Sequence, residues 1–485
     1  MNEDRTARHW IGGQWCGSAT VSQSRNPANG ELVGEYADGG QEEAQAAVAA
    51  ARLAFTESAW SEDRQLRQRA LGEMAAAFQE HAEELARMLT AENGKPLMQA
   101  RMEVAATSSV LAYAAAKIVT DAGTYVQTAP DTWFASLSEP LGVVAVIVPW
   151  NSPIVLFLRS LAPALAAGNT VAAKLPAQTA LTNALVARVI AEVPSLPAGV
   201  VNIFTESGNS GAPYLVTTPE VDMVSYTGST AVGRAIMQSG AATLKRLNLE
   251  LGGKTPMVLF EDADLELALP LLTLGIIFGT GQFCMAGARI LVHRSIADDV
   301  RTLLTGALAS VVIGPGDQDD VQMGPLIDKE SVRRVDALVE ESLKYGTVVV
   351  RGGPITDGPL ASGAFYRPSL VEVDDLDVPL VQQEVFGPVA TLEVFDDEAE
   401  AVHRANSTQY GLAAAVFTRD GDRARRVSRA LRAGTVWTNS WFVLDEAFPE
   451  GGAKQSGIGR LRGPLALAEF QETKTYVHVS RPAAG

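Results

Sequence analysis

Cys284 has the sequence setting that most suggests covalent chemistry. It lies in GTGQFCMAGAR (279–289), where glycines on both sides allow tight turns and close approach of a ligand. A helix following Cys284 would place the sulfur near backbone N–H groups that favour the thiolate. Because a free cysteine is more often a small buried hydrophobic residue, a reactive and an inert Cys284 both stay open from the residues alone.

Glu250 is the carboxylate with the most unusual neighbours, since it lies in LELGGK (249–254) between two leucines and before two glycines. A buried carboxylate with a raised pKa could serve as a general base. The alternative, which the residues alone slightly favour, is an ion pair with Lys254 at the end of a helix or strand.

A third segment, YTGSTAVG (226–233), follows an apolar run and precedes a helical pattern. This context suits a helix N-terminus that binds phosphate. The segment departs from the GxGxxG fingerprint, so an ordinary turn between strand and helix stays open.

Other kinds of site find little support in the sequence. The five histidines are scattered without metal-ligand spacing, and the chain has no GxSxG motif of a serine hydrolase. We therefore predict no metal site. The formal net charge of −17 argues against nucleic acid and anionic membranes as partners.

Composition indicates a soluble protein of two or three domains. The chain has 485 residues, of which 47% are hydrophobic and 20% charged. Its two cysteines, Cys16 and Cys284, are far apart in sequence, which favours a reducing compartment. The first ten residues lack a secretory signal, and polar residues and prolines interrupt the most apolar stretch, 141–173. We expect a cytoplasmic location.

Strand and helix patterns alternate along most of the chain and predict two α/β lobes with a cleft between them. The predicted strands are 142–148, 170–174, 200–204, 221–226, 289–293, 311–314, 347–350, 390–395 and 413–418. The predicted helices are 41–55, 64–91, 181–192 and 298–310. Two extended segments, 123–139 and 474–480, fit neither lobe. Pairing with another subunit and an edge strand on the home lobe are equally favoured for them.

Taken together and in order, these motifs resemble the aldehyde dehydrogenase superfamily over nearly the whole chain. The resemblance also includes segments 25–34, 139–153, 384–389, 410–418, 434–439 and 451–460. The interval from Glu250 to Cys284, 34 residues (284 − 250), matches the family as well.

The resemblance implies a catalytic role for three residues. Cys284 matches the nucleophile that forms a thiohemiacetal and then a thioester. Asn151 matches the amide that stabilises the oxyanion together with the Cys284 backbone N–H. Glu250 matches the base that activates water for deacylation. Its presence favours a free acid over an acyl-coenzyme A product.

The resemblance also implies a cofactor, NAD or NADP, and a set of residues that contact it. Lys174 matches a ribose contact, Gly228 and Ser229 the turn near the pyrophosphate, and Glu384 the nicotinamide ribose contact, with Phe386 nearby. The remaining implied cofactor contacts are Pro149, Trp150, Gln178, Gly233 and Leu251.

The implied fold has three parts: a Rossmann-like cofactor domain, an α/β catalytic domain and a small β oligomerisation flap. Their expected boundaries are 1–120 with 140–251 for the NAD(P)-binding domain, 252–460 for the catalytic domain, and 121–139 with 465–485 for the oligomerisation segment. The flap implies a homodimer or homotetramer.

Two departures from the family pattern concern the cofactor and proton transfer. In KLPAQT (174–179), Ala177 occupies a position where many members have a glutamate that would repel a 2′-phosphate. NADP should therefore be tolerated, and the preference between NAD and NADP stays open.

The second departure concerns proton transfer. Ser160 and Leu461 occupy the positions of a lysine and a glutamate that serve some relatives as a proton exit path. Either that relay is absent here, or water serves instead.

The third departure concerns the substrate tunnel, for which we expect Ser152, Leu156, Phe283, Trp441 and Glu450, with Phe157 and Phe448 as further apolar walls. These residues favour a medium-sized apolar or aromatic aldehyde. If Glu450 pointed inward, it could instead hold an amino or hydroxyl group of the substrate. We expect Glu450 to be a rim residue in solvent. A semialdehyde dehydrogenase and a catalytically silent protein on this fold remain alternatives.

Overall fold

A computed structural model describes residues 6–480 of the chain. Two lobes are each built on a mainly parallel β-sheet with helices packed against it, and a third, small antiparallel sheet accompanies them. This arrangement confirms the predicted α/β fold class.

The first lobe contains an eight-stranded sheet whose five central strands run parallel. In spatial order, its strands are Gly457–Ile458, Arg246–Glu250, Met223–Thr227, Val143–Ile147, Thr170–Pro176, Val201–Glu206, His9–Ile11 and Gln14–Cys16. The four strands predicted in this region are confirmed. They read as continuous apolar runs because helices cover a parallel sheet on both faces.

Helices of the first lobe form most of the remainder of residues 41–240. They are Gln41–Glu57, Arg64–Glu80, Ala82–Asn93, Leu97–Thr120, Pro153–Ala167, Ala180–Ala191, Gly211–Thr217 and Thr230–Gly240. The prediction of one helix over 64–91 is wrong, because the backbone leaves helical geometry at His81 (φ −92°, ψ 12°). The His81 ring there is hydrogen-bonded to the Glu192 carboxylate at 2.9 Å.

The second lobe contains a seven-stranded sheet. In spatial order, its strands are Thr347–Val350, Ser369–Glu372, Val389–Phe395, Arg289–His293, Pro256–Leu259, Ala413–Phe417 and Thr435–Thr438. Its helices are Leu265–Ile277, Ala297–Ala309, Lys329–Ser342, Pro379–Gln382, Glu398–Asn406 and Gly421–Ala430. The predicted strand 311–314 is wrong, because this apolar segment forms only an isolated bridge between Ile313 and Met323.

The two extended segments pair with each other in a three-stranded antiparallel sheet, so neither is an edge strand of a lobe. The strands are Gln471–Val479, Thr132–Pro140 and Thr124–Ala129, and the helix Gly463–Glu469 precedes the first of them. Residues 481–485 of the predicted oligomerisation segment lie outside the described residues.

One stretch of the predicted catalytic domain lies in the other lobe. The strand Gly457–Ile458 pairs with Arg246–Glu250 of the first sheet, although the boundary 252–460 assigns it to the second lobe. Two minor sheets complete the fold, and they consist of Thr6–Ala7, Leu32–Asp38 and Thr20–Arg25, and of Gly353–Pro354 and Tyr366–Arg367.

One helix among residues 6–480, Leu97–Thr120, is long and apolar enough to cross a membrane by length and composition alone. It packs against Arg64–Glu80 and Pro153–Ala167 inside the first lobe. The interior helix of a folded lobe passes the same test, so this one is weak support for a membrane span.

Candidate active site

The carboxyl ends of the parallel strands in the first lobe bring the predicted motifs to one edge of the sheet. Asn151 follows the strand Val143–Ile147, Lys174 lies in the neighbouring strand, Gly228 follows Met223–Thr227, and Glu250 ends its own strand. Ligands of open α/β sheets bind at this edge.

A polar scaffold that the sequence analysis missed fixes the backbone around Asn151. The Asn93 side-chain amide donates to the Trp150 carbonyl at 2.9 Å, and the Lys95 ammonium donates to the Asn151 carbonyl at 2.7 Å. Lys95 is in turn paired with Glu103 at 2.6 Å. The segment ENGKP (92–96) is the sequence signal for this scaffold, since it places polar residues and a glycine between two helices.

Glu103 also holds the start of the helix Pro153–Ala167, which follows Asn151. One of its carboxylate oxygens accepts hydrogen bonds from the N–H groups of Ile154 and Val155, at 2.9 and 3.3 Å. Helix N-termini leave such N–H groups without partners inside the helix, and a carboxylate there is favourable. Glu103 therefore fixes both the helix start and the cation that holds Asn151.

Cys284 comes from the second lobe and lines the same cavity as Asn151. The Asn151 side-chain amide donates to the Gln282 carbonyl at 3.0 Å, which links it to the cysteine loop across the lobes. The Asn151 side-chain oxygen has no hydrogen-bond partner among residues 6–480. The lobes thus meet where the sequence predicted that the amide and the thiol would act together.

The loop before Cys284 has an unusual backbone, with positive φ at Gly279, Thr280 and Gly281. The Thr280 hydroxyl donates to the Gly324 carbonyl at 3.0 Å and supports this conformation. No helix follows Cys284, contrary to the sequence-based expectation, because the chain turns and enters the strand Arg289–His293. Burial raises the pKa of the Cys284 thiol to about 12, so helical N–H groups do not offset this burial.

Glu250 is 3% exposed, and burial raises the pKa of its carboxyl to about 8. One carboxylate oxygen has no hydrogen-bond partner among residues 6–480, and neither does the Lys254 ammonium. The expected ion pair between Glu250 and Lys254 is therefore wrong. Glu250 does not belong to the residues that line the Cys284 cavity.

Glu450 is buried, at 5% exposed, so the expectation of a solvent-exposed rim residue is wrong. Its two oxygens are paired with two arginines, with Arg159 at 2.5 Å and with Arg462 at 2.8 Å. Arg462 is also hydrogen-bonded to Glu446. All four side chains line the Cys284 cavity. We refer to them as the arginine–glutamate cluster.

The Cys284 cavity has a volume of about 490 Å³. Four of the five predicted tunnel residues line it, namely Ser152, Leu156, Phe283 and Glu450. Trp441 does not line it, because its indole N–H donates to the Met285 carbonyl at 3.0 Å in the interior. Of the further walls expected, Phe157 is fully buried, Phe448 is 70% exposed, and neither lines the cavity.

Aromatic rings form one wall of this cavity. Phe278, Phe283 and Phe442 contribute the surface. The centroids of Phe283 and Phe442 are 4.7 Å apart, and Trp441 packs against Phe283 at 6.1 Å. Such packing holds rings in fixed positions and presents a rigid apolar surface to a ligand.

A second cavity, of about 480 Å³, lies at the carboxyl ends of the first sheet. Six of the predicted cofactor contacts line it, namely Pro149, Trp150, Lys174, Gln178, Gly228 and Ser229. The Ser229 hydroxyl caps the helix Thr230–Gly240 by accepting from the Val232 N–H at 3.3 Å, so this helix N-terminus adjoins the cavity. These features fit a dinucleotide, because a helix N-terminus binds its pyrophosphate favourably.

Tyr226, a cavity residue that the sequence analysis did not single out, explains why position 228 is glycine. A Cβ at Gly228 would overlap the Tyr226 hydroxyl. Two other predicted contacts, Gly233 and Leu251, do not line the cavity but pack helix against sheet, since a Cβ at Gly233 would lie 2.6 Å from the Leu251 side chain.

Glu384 and Phe386 come from the second lobe and do not line the second cavity. The Phe386 ring packs edge-on against Trp150, with centroids 5.6 Å apart. Glu384 accepts a hydrogen bond from the Gly253 N–H at 3.3 Å, and burial raises the pKa of its carboxyl to about 7. Phe386 thus contacts a residue of the second cavity, Trp150. Glu384 contacts the segment at Gly253, which adjoins the Cys284 backbone.

Comparison with known proteins agrees with this geometry. The model of the Aldehyde dehydrogenase family matches residues 15–476. The chain belongs to the aldehyde dehydrogenase family. The family and the enzyme class predicted from the motifs are confirmed.

Individual relatives cover almost the whole chain. Betaine aldehyde dehydrogenase of Bacillus subtilis (strain 168) is 36% identical over 481 residues and is matched over 98% of both chains. Phenylacetaldehyde dehydrogenase of Pseudomonas fluorescens is 37% identical over 478 residues, with 96% of this chain and 95% of the relative covered. A crystal structure of betaine aldehyde dehydrogenase from Staphylococcus aureus in complex with NAD+ superposes with a TM-score of 0.95 at 36% identity, covering 98% of this chain and 95% of that one.

Replacing Glu103 with alanine should weaken both the fold and the site. The change removes the acceptor for two helix N–H groups and leaves the buried Lys95 without its anion. Breaking a buried ion pair typically costs about 3–5 kcal/mol, so we expect a lower unfolding midpoint in a thermal melt and a lower kcat/KM. Glu83→Ala, which removes an exposed ion-paired glutamate, is the control. Equal midpoints for the two variants would contradict the proposed scaffold.

Proposed function

We propose that this protein oxidises an aldehyde to the carboxylic acid with NAD(P)+, through a covalent thioester on Cys284. The observation that carries the proposal is the meeting of Cys284 and Asn151, from different lobes, in one cavity. The second cavity, with its glycine turn and capped helix N-terminus, fits the cofactor. The NAD+ in the related Staphylococcus aureus structure supports this assignment.

The first step is attack of the Cys284 thiolate on the aldehyde carbon. A C–S bond forms, and the carbonyl oxygen becomes an oxyanion that the Asn151 side-chain amide and the Cys284 backbone N–H stabilise. Loss of one such donor typically costs about 10²–10³ in rate. When bound, NAD(P)+ would supply the oxidising power by accepting the hydride that the former aldehyde carbon loses, which would leave a thioester on Cys284.

The second step is hydrolysis of that thioester. Glu250 takes a proton from water, the water oxygen bonds to the acyl carbon, and the C–S bond breaks to release the acid and the thiolate. A base with a pKa near the working pH suits this task, and burial brings Glu250 into that range.

The substrate we propose is a medium-sized apolar or aromatic aldehyde. Support comes from the cavity volume and from the wall of Phe278, Phe283 and Phe442, with Met102 and Leu156 nearby. A cationic aminoaldehyde is the second candidate, because the exposed Asp445 also lines the cavity and several relatives are named betaine aldehyde dehydrogenases.

We further propose a homodimer or homotetramer and a cytoplasmic location. The small antiparallel sheet supports an oligomer, since Tyr125, Val126, Val477 and Val479 expose large apolar side chains on it. The two free cysteines, Cys16 and Cys284, support a reducing compartment and hence this location.

Glu250→Gln and Cys284→Ala should fail at different steps. With Glu250→Gln, we expect a burst of NADH of at most one equivalent per site, followed by turnover reduced about 10²-fold or more, because general-base catalysis is lost. Cys284→Ala should abolish the burst as well. In the wild type, kcat should rise with pH toward about 8 as Glu250 loses its proton. Normal turnover by Cys284→Ala, measured by NADH absorbance, would refute the proposed function.

Ala177→Glu should discriminate against NADP. Position 177 directly follows the strand that carries Lys174. A new carboxylate ~4 Å from a 2′-phosphate would repel that phosphate by about 1 kcal/mol in water and by about 4 kcal/mol at an effective dielectric constant of 20. We expect the KM for NADP to rise about fivefold or more and the KM for NAD to stay unchanged, with Ala177→Gln as the neutral control. A wild type with no NADP activity would contradict this expectation.

A substrate panel of hexanal, benzaldehyde and a trimethylammonium aldehyde should rank the two substrate classes by kcat/KM. We expect the two uncharged aldehydes to be preferred, because aromatic and aliphatic side chains form much of the cavity wall. Preference for the cation would overturn the apolar assignment. Asp445→Asn is the matched variant, and it should lower kcat/KM only for the cationic aldehyde.

A further inference from the structure

An arginine lies in the wall of the Cys284 cavity, and the steps described above do not use it. Arg159 belongs to the helix that follows Asn151, and its side chain is 4% exposed. Its guanidinium donates to Glu450 at 2.5 Å and to the Thr227 hydroxyl at 3.4 Å. A buried cation in a substrate cavity carries a large desolvation cost, so its position calls for a physical reason.

Both partners of this guanidinium adjoin Glu250. Thr227 is the residue directly across from Glu250 in the neighbouring strand. Glu450 precedes Gly451, where a Cβ would lie 2.9 Å from a Glu250 carboxylate oxygen. Arg159 therefore lines the cavity of Cys284 and is also held by two residues that border the base.

We propose that Arg159 is a positioning residue that acts electrostatically, stabilising the Cys284 thiolate and the Glu250 carboxylate, while Glu450 holds it and offsets part of its charge. The inference rests on the proposed function, because it assigns Arg159 to the same thiol and base. It supplies the stabilisation that a helix after Cys284 would otherwise provide.

The charges around these groups support this assignment. Burial raises the pKa of Cys284 and of Glu250; the Arg159 charge lowers both, and the Glu450 charge raises both. The other charged groups that act on Cys284, Glu250 or Arg159 are Glu384, Glu446, Arg460 and Glu469. The remaining charged residues in the cavity wall are Lys95, Glu103, Asp445 and Arg462. Lys95 is paired with Glu103 and Arg462 with Glu446, and Arg159 is the cation whose charge lowers the pKa of the Cys284 thiol.

The decisive experiment uses the two members of the ion pair against each other. In a Cys16→Ala background, Cys284 is the only thiol of the chain, and the rate of its alkylation by iodoacetamide at a series of pH values below its pKa reports shifts in that pKa without aldehyde or cofactor. We expect Arg159→Met to raise that pKa by about one unit or more, a roughly tenfold loss of thiolate at a given pH. Glu450→Gln should lower it.

Opposite shifts separate electrostatics from damage to the fold, because a purely structural role would move both variants in the same direction. Glu450 also lies 2.8 Å from Arg462, so the Glu450 carboxylate still has an arginine partner in Arg159→Met. Arg159→Lys should restore most of the wild-type pKa. The matched control is Arg404→Met, which removes a buried arginine paired with Asp374 and Glu400 in the second lobe and should leave the Cys284 pKa unchanged.

Two results would overturn the inference. One is a shift in the same direction, or no shift, for Arg159→Met and Glu450→Gln in variants whose circular dichroism spectra match the wild type. The other is an unchanged Cys284 pKa with a raised KM only for aldehydes bearing a carboxylate, which would make Arg159 a substrate-binding residue. Failure of the proposed function is distinguishable, since a wild type that oxidises no aldehyde would still give a thiol titration.

Discussion

A buried ionisable group must be paired or shift its pKa toward the neutral form, and the ion pair between Arg159 and Glu450 is where this constraint shapes the site. Removing one partner of such a pair typically costs about 3–5 kcal/mol, while the pair itself contributes little net stability. A pair in the wall of the cavity that Cys284 lines is therefore better explained by its electric field than by its net stability. Its geometry fixes how much positive charge acts on Cys284 and on Glu250.

The same pair explains why the last part of the chain returns to the first lobe. Glu450 and Arg462 lie on either side of the strand Gly457–Ile458, which joins the first sheet beside Glu250. The return places Glu450 next to the helix Pro153–Ala167, although Glu450 and Arg159 are 291 positions apart in the sequence. One segment thereby supplies an edge strand, a counter-ion and part of the cavity wall.

Local signals made the strands, the motif residues and the family predictable, because each is encoded in a short stretch of sequence. The strand ends then brought Asn151, Lys174, Gly228 and Glu250 to one edge, as parallel topology requires. The prediction for Glu450 failed because it depended on distant partners. The burial of Glu450 is possible only because Arg159 and Arg462 reach it, and no sequence window contains all three.

Other features that the sequence did not specify were local, and they are conformations that hydrophobic patterns do not encode. The loop before Cys284 uses three consecutive residues of positive φ, including Thr280. A side chain at such a position needs a specific partner, here the Gly324 carbonyl. The helical pattern of 64–91 likewise gave no indication that the backbone would break at His81.

The division of the cavity into an aromatic wall and a charged wall follows from these constraints together. Phe278, Phe283 and Phe442 need no counter-ion and present an apolar surface to the cavity. Low exposure to water strengthens the remaining charges, so the buried arginine–glutamate cluster would act more strongly on the sulfur than it would in open solvent. Because burial raises the pKa of Cys284, the proposed reaction calls for a nearby cation that keeps the thiol ionisable.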